Sequence, residues 1–571
     1  TIYGTLDAAV TGTVSTATGT NNTYAGVCAA KDIEAGAQNN AAFGFNALCD
    51  LTTGCENAAF GANSLTKLTT AKYNAAFGHA ALEENTSGQL NAAFGRTALE
   101  ANTTGGLNTA TGAQAMQKNT SGSYNTASGY LAAHCNQTGC NNTAIGANSL
   151  RMGNDCFNTA VGDSALRHTT TGESNVAVGA KVMCNNTTGE KNVAMGCRTM
   201  VTNTTGKCNT AIGPAAMFYN TSGCFNAALG VDALLDNTTA NGNTAVGGCT
   251  LSNNTSGSCN TAVGFAALKN ATCAHYNTAV GMASLCAATT GYYNTAVGTF
   301  SLDALTTGYN NAALGQVTLS ALTTGARNTA TGYGSLQVAT TACNNTASGY
   351  RAMRLTTTGK NNTGMGVSAL YENTTGCFNA AFGIYALANN LTANENTASG
   401  AYALNANTTG AHNTAIGYKA AQANTTANVV VAVGACSLFS NTTGANNSAV
   451  GFRALKSNTT GASNVAVGRE TLANNTTAEH NTAIGTCSLY ANTGNRNTAV
   501  GANSLKANTT GACNVAVGYN ALDSNTTGHK NEAFGNYSLQ ANTTGANNTA
   551  SGYGALFSST TAHCNTAFGS C

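Results

Sequence analysis

The sequence of 571 residues has no tryptophan, a single proline (Pro214) and few charges, since only 8% of its residues are charged and the formal net charge is +2. It has no basic patch or acidic tail, which argues against a nucleic-acid partner. No apolar run approaches the roughly 18 residues of a membrane-spanning helix, so membrane insertion is not expected. Charge normally keeps protein surfaces soluble and apart, so a surface with so little charge is expected to be covered by sugars, by neighbouring chains or by both.

Signals of catalysis and of metal binding are also missing. Zinc-type Cys-x-x-Cys pairs and the calcium-binding motif G-G-x-G-x-D do not occur. The 8 histidines are scattered, and acidic residues such as Asp163, Asp232, Glu470 and Asp523 are isolated rather than paired. Because an active site needs several such groups in one cleft, we expect a protein that is not an enzyme and binds no cofactor.

The sequence is instead dominated by one repeat, N-x-A-φ-G, where φ is usually Val, Ile, Phe, Leu or Met. Thirty-two copies run from Asn40 to Asn565 at a step of 17 residues, except for steps of 16 residues from Asn142 to Asn158 and from Asn481 to Asn497. Only Val430 replaces the leading Asn, which we number column 1. Such strict spacing indicates that each copy is one structural unit stacked on the next.

This repeat predicts an all-β fold, because 17 residues with two or more glycines cannot form two packed helices. Columns 1–5 and the x-[AS]-L-x segment suit short strands, with Gly at columns 5 and 15 marking corners. We therefore predict a parallel β-solenoid (a β-roll or β-helix) of about 32 coils over residues 40–571. At a spacing of about 4.8 Å, the coils would form a rod on the order of 150 Å long.

The interior predicted for this solenoid is thin. Ala at column 3, Ala or Ser at column 8 and Leu at column 9 are the expected core residues. Side chains alternate across a strand, so the apolar residue at column 4 should face outward. Because a long apolar row is too large to leave in water, we expect lateral packing against other copies of the chain.

Acceptor sequences for N-glycosylation, N-x-[ST], recur throughout the repeat. One set lies at column 12 and includes Asn102, Asn203, Asn373, Asn407, Asn508, Asn525 and Asn542. A second set, in Asn-Asn-Thr at the corner before each repeat, includes Asn141, Asn344, Asn361 and Asn547. The alternative to sugars is that Asn and Thr form hydrogen-bonded ladders from coil to coil. Leu at column 12 in some copies, such as Leu51 and Leu68, favours ladders there, so glycans are expected chiefly at the corners.

Most of the 21 cysteines fall in variable columns beside the predicted corners. Cys49 with Cys55, and Cys135 with Cys140, each bracket one corner, while Cys208 with Cys224 illustrates pairing between adjacent coils. The sequence leaves the connectivity open. Disulfides would place the protein outside the cytosol, and the odd count leaves at least one thiol free or bonded between chains.

Residues 1–39 precede the repeat and form a separate segment, expected to be a strand-rich cap or an arm that joins subunits. The chain starts at Thr1 without a recognisable signal peptide, which suits a processed protein. It ends at Cys571, part-way through a coil that has no cap. We expect the N-terminal segment of one subunit to cover the last coil of the next by strand addition, with Cys28 or Cys571 as candidates for a disulfide between subunits.

Three copies illustrate a resemblance to known proteins: "NVAVGRETL" (Asn464 to Leu472), "NTAIGANSL" (Asn142 to Leu150) and "NTAVGTFSL" (Asn294 to Leu302). They resemble the head repeats of trimeric autotransporter adhesins, and the longer form with "NTTG" is similar to repeats of viral and phage tail fibres. The resemblance covers residues 40–571. It implies a left-handed parallel β-roll.

Three functions are compatible with these observations. The leading hypothesis is a non-catalytic structural subunit of an extracellular or virion-surface fibre, which assembles with copies of itself and carries covalent glycans. An adhesin or receptor-binding fibre that contacts glycans or a host surface is the alternative. Ice binding needs a uniform threonine row, and Ala41 and Val176 interrupt the Thr of column 2.

Overall fold

The computed structural model describes residues 21–570. Thr1 to Thr20 and Cys571 lie outside the described residues, and with them most of the proposed joining arm and one of the two inter-subunit cysteines. The described part contains 33 strands of three residues each, and the assigned neighbours pair in parallel. The chain divides into two compact units, Thr1–Thr290 and Gly291–Cys571. Each unit is a parallel β-solenoid, which confirms the predicted fold.

The first unit contains strands β1 to β16, one for each coil. In order they are Thr23–Ala25, Ala41–Phe43, Ala58–Phe60, Ala75–Phe77, Ala92–Phe94, Thr109–Thr111, Thr126–Ser128, Thr143–Ile145, Thr159–Val161, Val176–Val178, Val193–Met195, Thr210–Ile212, Ala227–Leu229, Thr244–Val246, Thr261–Val263 and Thr278–Val280. Strand β1 lies within residues 1–39 and pairs in register with β2, Thr23 opposite Ala41. The coil stack of this unit therefore includes a strand that precedes the first recognised repeat.

The second unit contains strands β17 to β33. They are Thr295–Val297, Ala312–Leu314, Thr329–Thr331, Thr346–Ser348, Thr363–Met365, Ala380–Phe382, Thr397–Ser399, Thr414–Ile416, Val431–Val433, Ser448–Val450, Val465–Val467, Thr482–Ile484, Thr498–Val500, Val515–Val517, Glu532–Phe534, Thr549–Ser551 and Thr566–Phe568. Each pair keeps the register of the repeat, as in Ala313 opposite Ala330. The 16-residue coil keeps it too, because Ala483 lies opposite Ala499.

The interior of each unit is built from the small and branched residues that the repeat predicts. Alanines at column 3, such as Ala59 and Ala432, and leucines at column 9, such as Leu65 and Leu505, are 0% exposed. Column 8 is buried as well, for example at Ala98. The core prediction is confirmed, and it omits a large part of the interior, which is polar.

The second strand expected at x-[AS]-L-x does not form in the described coils. Columns 6–11 are a series of turns, in which column 7 and column 9 adopt left-handed backbone angles, as at Asn63 (φ 58°) and Leu65 (φ 51°). A left-handed φ is unusual for leucine. Burial of the leucine side chain in the interior offsets this strain, which a sequence pattern of apolar residues does not reveal.

The glycine at column 5 is required at the end of every strand. Gly61 has a φ of 140°, a region that residues with a side chain rarely adopt. A Cβ atom there would also lie 2.4 Å from the carbonyl oxygen of Gly78 in the next coil. Both reasons explain why this column contains glycine in all described coils.

Asparagine at column 1 forms a buried hydrogen-bonded ladder. Asn57 donates from its backbone N (2.9 Å) and from its Nδ2 (3.1 Å) to Oδ1 of Asn40. Its Nδ2 also donates to the carbonyl oxygen of Ala71, 3.0 Å away at column 15 of its own coil. At the exception, Val430, the backbone N still donates to Oδ1 of Asn413 at 2.9 Å. Each coil is therefore tied to its neighbour by an amide that lies inside the solenoid.

Asparagine at column 12 forms a second buried ladder, but an interrupted one. Asn119 donates from Nδ2 to Oδ1 of Asn102 at 2.7 Å and accepts from Nδ2 of Asn136 at 2.8 Å. The ladder segments run over Asn85 to Asn136, Asn186 to Asn254, Asn373 to Asn475 and Asn492 to Asn542. The last Oδ1 of every segment is buried without a hydrogen-bond partner, at Asn136, Asn254, Asn475 and Asn542.

Replacing a core leucine by aspartate tests the assignment of column 9. Leu505→Asp places an unpaired carboxylate in an interior that is fully buried, and we expect it to lower the free energy of unfolding by several kcal/mol. The matched control is Leu107→Asp at column 17, where the leucine is 44% exposed. Urea denaturation that finds the two variants equally stable would contradict the assignment.

Two alanine substitutions test whether the column 12 ladder stabilises the fold. Asn119→Ala leaves an acceptor on Asn102 and a donor on Asn136 without their ladder partners, whereas Asn542→Ala removes a segment end whose oxygen is already unpaired. We expect the first variant to be less stable than the second by about 1–3 kcal/mol. Denaturation curves, or hydrogen exchange at the substituted coils, measure this difference. Asn542→Ala still breaks the bond from Nδ2 of Asn542 to Oδ1 of Asn525, so equal losses would mean that the second ladder bond, which only Asn119 makes, contributes nothing.

Candidate interaction surface

The outer face of the strands exposes large apolar side chains in many coils. Side chains of columns 2, 4 and 6, and of the corner column 17, lie on this side, which we call the strand face. Column 4 is partly to largely exposed, for example Phe94 (41%) and Leu314 (54%), and column 17 reaches 70% at Phe225. The exposed apolar residues of column 4 are Phe77, Phe94, Ile145, Met195, Ile212, Leu229, Leu314, Met365, Phe382, Ile416, Val450, Val467, Ile484, Val517, Phe534 and Phe568. The predicted outward position of column 4 is confirmed.

Aromatic rings stack along the strand face of the first unit. Phe43, Phe60, Phe77 and Phe94 occupy column 4 of four successive coils, with ring centroids 4.9, 4.7 and 4.9 Å apart. Their planes deviate by only 13°, 5° and 8°. Each ring covers its neighbours, but the outer edges of the stack stay in water. The result is a flat apolar strip that is four coils long.

In the second unit, cations lie beside several exposed rings of the strand face. The guanidinium of Arg351 lies 4.9 Å from the ring centroid of Tyr350, and that of Arg453 lies 4.8 Å from Phe452. Lys419 is placed in the same way, 5.2 Å from the ring of Tyr418. Each pair joins column 6 to column 7, so the few charges of the chain also cover aromatic surface.

The glycosylation candidates of column 12 are all buried. Their side chains belong to the second ladder, and each is 0% exposed: Asn102, Asn203, Asn373, Asn407, Asn508, Asn525 and Asn542. Asn525, for example, donates from Nδ2 to Oδ1 of Asn508 at 2.7 Å. A glycan bonded to such a nitrogen has no room inside the coil, so in this column the ladder is the alternative that fits the structure.

The corner candidates are placed differently. Asn141, Asn344, Asn361 and Asn547 occupy column 17 and are exposed. Nδ2 of Asn344 donates to Oδ1 of Asn361 at 3.1 Å, in a pair that faces solvent. These side chains have the access that a glycan requires.

The six disulfide candidates and Cys28 are thiols on the outside of the coils. Cys28 is exposed, and the six candidates are partly exposed: Cys49, Cys55, Cys135, Cys140, Cys208 and Cys224. Sγ of Cys224 donates to the carbonyl oxygen of Ser222 at 3.3 Å, and Sγ of Cys135 donates to Sδ of Met152 at 3.9 Å. The close thiol neighbour of Cys140 is Cys156, at 3.0 Å, which the sequence analysis did not single out.

The isolated acids do not converge on a site. Glu470 pairs with Arg453 on the adjacent coil at 3.7 Å. Burial raises the pKa of Asp523 above its usual range, and the charge of Lys506 acts weakly in the opposite direction. Within residues 21–570, no three His, Cys, Asp or Glu side chains are grouped so that they could hold a metal ion. Nor do these residues include an apolar helix of membrane-spanning length.

A scan of the sequence against protein-family models found no match, and a search of curated proteins found none either.

Secretion through a glycosylating pathway separates the two sets of acceptor sequences. We expect glycans at Asn141, Asn344, Asn361 and Asn547 and none at column 12, because a sugar there would prevent the coil from closing. Mass spectrometry of peptides, with and without glycosidase, gives the occupancy of each site. Asn344→Gln should remove one glycan, and Asn525→Gln should remove none. Occupied column 12 sites in folded protein would contradict the placement of this ladder.

Proposed function

We propose that the chain is a non-catalytic structural subunit of an extracellular or virion-surface fibre, in which solenoids pack side by side through the strand face. One observation carries the proposal: exposed apolar side chains recur at column 4 in many coils, in a chain of which only 8% of the residues carry the charges that keep protein surfaces apart.

A second copy of the chain is the occupant that fits this face. Column 4 recurs once in each coil, so another copy presents its side chains at the same spacing, and the coils with an apolar residue in this column can make similar contacts. The Phe43 to Phe94 stack offers a continuous aromatic surface for this purpose. Burial of apolar surface stabilises such a contact by about 25 cal/mol per Å², so many small contacts along a solenoid accumulate.

The likeness to adhesin heads and tail fibres, and the location on a cell or virion surface, are also part of the proposal. Head repeats of trimeric autotransporter adhesins and repeats of tail fibres share the N-x-A-φ-G pattern, and both are found on cell or virion surfaces. The corner sequons and the 21 cysteines suit that location. Joining of subunits end to end by residues 1–20 stays a prediction.

Adhesion to glycans is the second candidate function, supported by a groove on the turn side of the second unit. We call it the tyrosine groove; it is lined by Arg351, Ser368, Tyr371, Tyr385, Ala388, Asn389, Tyr402 and Asn405. The rings of Tyr385 and Tyr402 stack 5.5 Å apart, and Nδ2 of Asn405 donates to the carbonyl oxygen of Tyr385 at 3.1 Å. Aromatic faces beside amide and guanidinium donors are groups that can hold a sugar ring.

The proposed side-by-side assembly is tested by placing charges in the phenylalanine stack. Purified wild-type chain should form laterally associated particles at micromolar concentration, visible by electron microscopy and by sedimentation velocity. A double variant, Phe60→Lys with Phe77→Lys, should stay dispersed, because packing would then bury unpaired ammonium groups.

Tyr219→Lys is the control for this experiment, because Tyr219 is 49% exposed but lies at column 11, away from the strand face. It should assemble like the wild type. A wild-type chain that stays monomeric, or a double variant that assembles normally, would refute the proposed packing.

Glycan binding by the tyrosine groove has its own test. Tyr385→Ala combined with Tyr402→Ala should weaken binding to immobilised oligosaccharides by about tenfold or more, since both ring faces are lost. Tyr333→Ala is the control, because Tyr333 stacks with Tyr350 on the strand face, 5.6 Å away. Absence of binding by the wild type, or equal binding by all variants, would exclude this function for the groove.

A further inference from the structure

The coil of residues 142–157 interrupts the column 12 ladder of the first unit. It is one residue shorter than its neighbours, and Gly153 occupies column 12 in place of asparagine. The ladder stops there, so Oδ1 of Asn136 is buried without a donor. On the exposed side of the same coil, Oδ1 of Asn154 accepts a hydrogen bond from the backbone N of Gln137 at 2.7 Å. This bond joins the two coils in place of the missing ladder bond.

Two thiols meet at the corner of the same pair of coils. Sγ of Cys140 lies 3.0 Å from Sγ of Cys156, and the backbone N of Cys140 donates to Sγ of Cys156 at 3.1 Å. Both cysteines are partly exposed, so a small oxidant can reach them. The shortened coil hides their relation in the sequence, since Cys140 is residue 16 and Cys156 is residue 15 of its repeat.

We propose that Cys140 and Cys156 form a disulfide that crosslinks two coils where the column 12 ladder is interrupted. Residues at equivalent positions of neighbouring coils are about 4.8 Å apart, which lies within the Cα separation of about 4.4–6.8 Å that a disulfide spans. The bond replaces a missing ladder contact by a covalent one. It does not depend on the proposed fibre function.

The reaction requires an oxidant, for which a low-molecular-weight disulfide suffices. One cysteine thiolate attacks a sulfur of the oxidant, forms a mixed disulfide and releases one thiolate. The second cysteine, after losing its proton, attacks the protein-side sulfur of the mixed disulfide and releases the other thiolate. The two cysteines together lose two protons and two electrons, and the oxidant is reduced to two thiols.

Pairing at this position is specific because no other described cysteines share it. The one-residue deletion places Cys156 beside Cys140, because the backbone N of Phe157 donates to the carbonyl oxygen of Cys140 at 3.1 Å, as column 17 does to column 16 of the preceding coil elsewhere. Cys208 and Cys224 lie on adjacent coils but in columns 17 and 16, and Sγ of Cys224 is directed to Ser222 in its own coil. Cys343 lies in the same column as Cys140, but its neighbour in the next coil is Lys360.

To test the proposal, the 571-residue chain is treated with oxidised glutathione, and its disulfides are mapped by mass spectrometry of non-reduced peptides. A peptide pair joined through Cys140 and Cys156 should form first, with the loss of two titratable thiols. Proteolytic cleavage within residues 142–157 should slow several-fold after oxidation and recover after reduction. Cys140→Ser and Cys156→Ser should each abolish both effects, whereas Cys343→Ser should retain them.

Two outcomes would overturn the proposal. One is that Cys140 and Cys156 stay reduced, or pair with other cysteines, while the remaining exposed thiols react. The other is that the bond forms but leaves cleavage of residues 142–157 unchanged, which would exclude its role as a crosslink of the weakened joint. Circular dichroism of the serine variants establishes that they fold, so that a lost bond is not mistaken for a lost fold.

Discussion

The buried amide of column 1 is the interaction on which the remaining structure depends. A polar group inside a protein is costly unless its hydrogen bonds are made, and the side-chain oxygen of a column 1 asparagine is satisfied by the asparagine of the next coil, as Oδ1 of Asn40 is by Asn57. This requirement explains the strict spacing. The two 16-residue coils illustrate it, because the backbone N of Asn158 still reaches Oδ1 of Asn142 at 2.9 Å, and Asn497 reaches Asn481 at the same distance. The chain tolerates a lost residue only where column 1 stays in register.

A polar interior has a consequence for the surface. Asparagine, small residues and usually one leucine or methionine at column 9 fill the space inside each coil, so other large apolar residues are left outside. Soluble proteins usually bury such residues. Here Phe225 is 70% exposed while Asn226, the next residue, is 1% exposed. The same constraint that joins successive coils therefore creates the strand face, and the proposed contact between solenoids follows from how a coil is filled.

Sequence periodicity was sufficient to predict the solenoid, its parallel pairing and the burial of columns 3 and 9. Periodicity was insufficient where one residue type both marks the register of the repeat and makes buried hydrogen bonds. Asparagine at column 1 was treated as a marker of register, although its burial is the larger fact, and the buried Val430 in that column was the available signal. At column 12, Leu51 and Leu68 correctly indicated an interior position.

The turns of columns 6–11 could not be foreseen, since leucine rarely adopts the left-handed backbone that Leu65 has. Cys156 was missed because a deletion shifted its number within the repeat.

Stability within each unit should vary along the stack, and the column 12 ladder indicates where. Asparagine segments are separated by coils with other residues at column 12, or, between Asn475 and Asn492, by a missing hydrogen bond. Within an asparagine segment each Oδ1 is satisfied by the amide of the next coil, as at Asn102 and Asn119. The boundaries are not, because each asparagine segment ends in a buried oxygen without a donor. Such positions are where local opening costs least. Two of the four boundaries, at Asn136 and Asn475, adjoin the 16-residue coils, so the shortened coils and the missing hydrogen bonds coincide. A fibre built from these solenoids would open first at those coils, and a covalent bond between coils stabilises it most there.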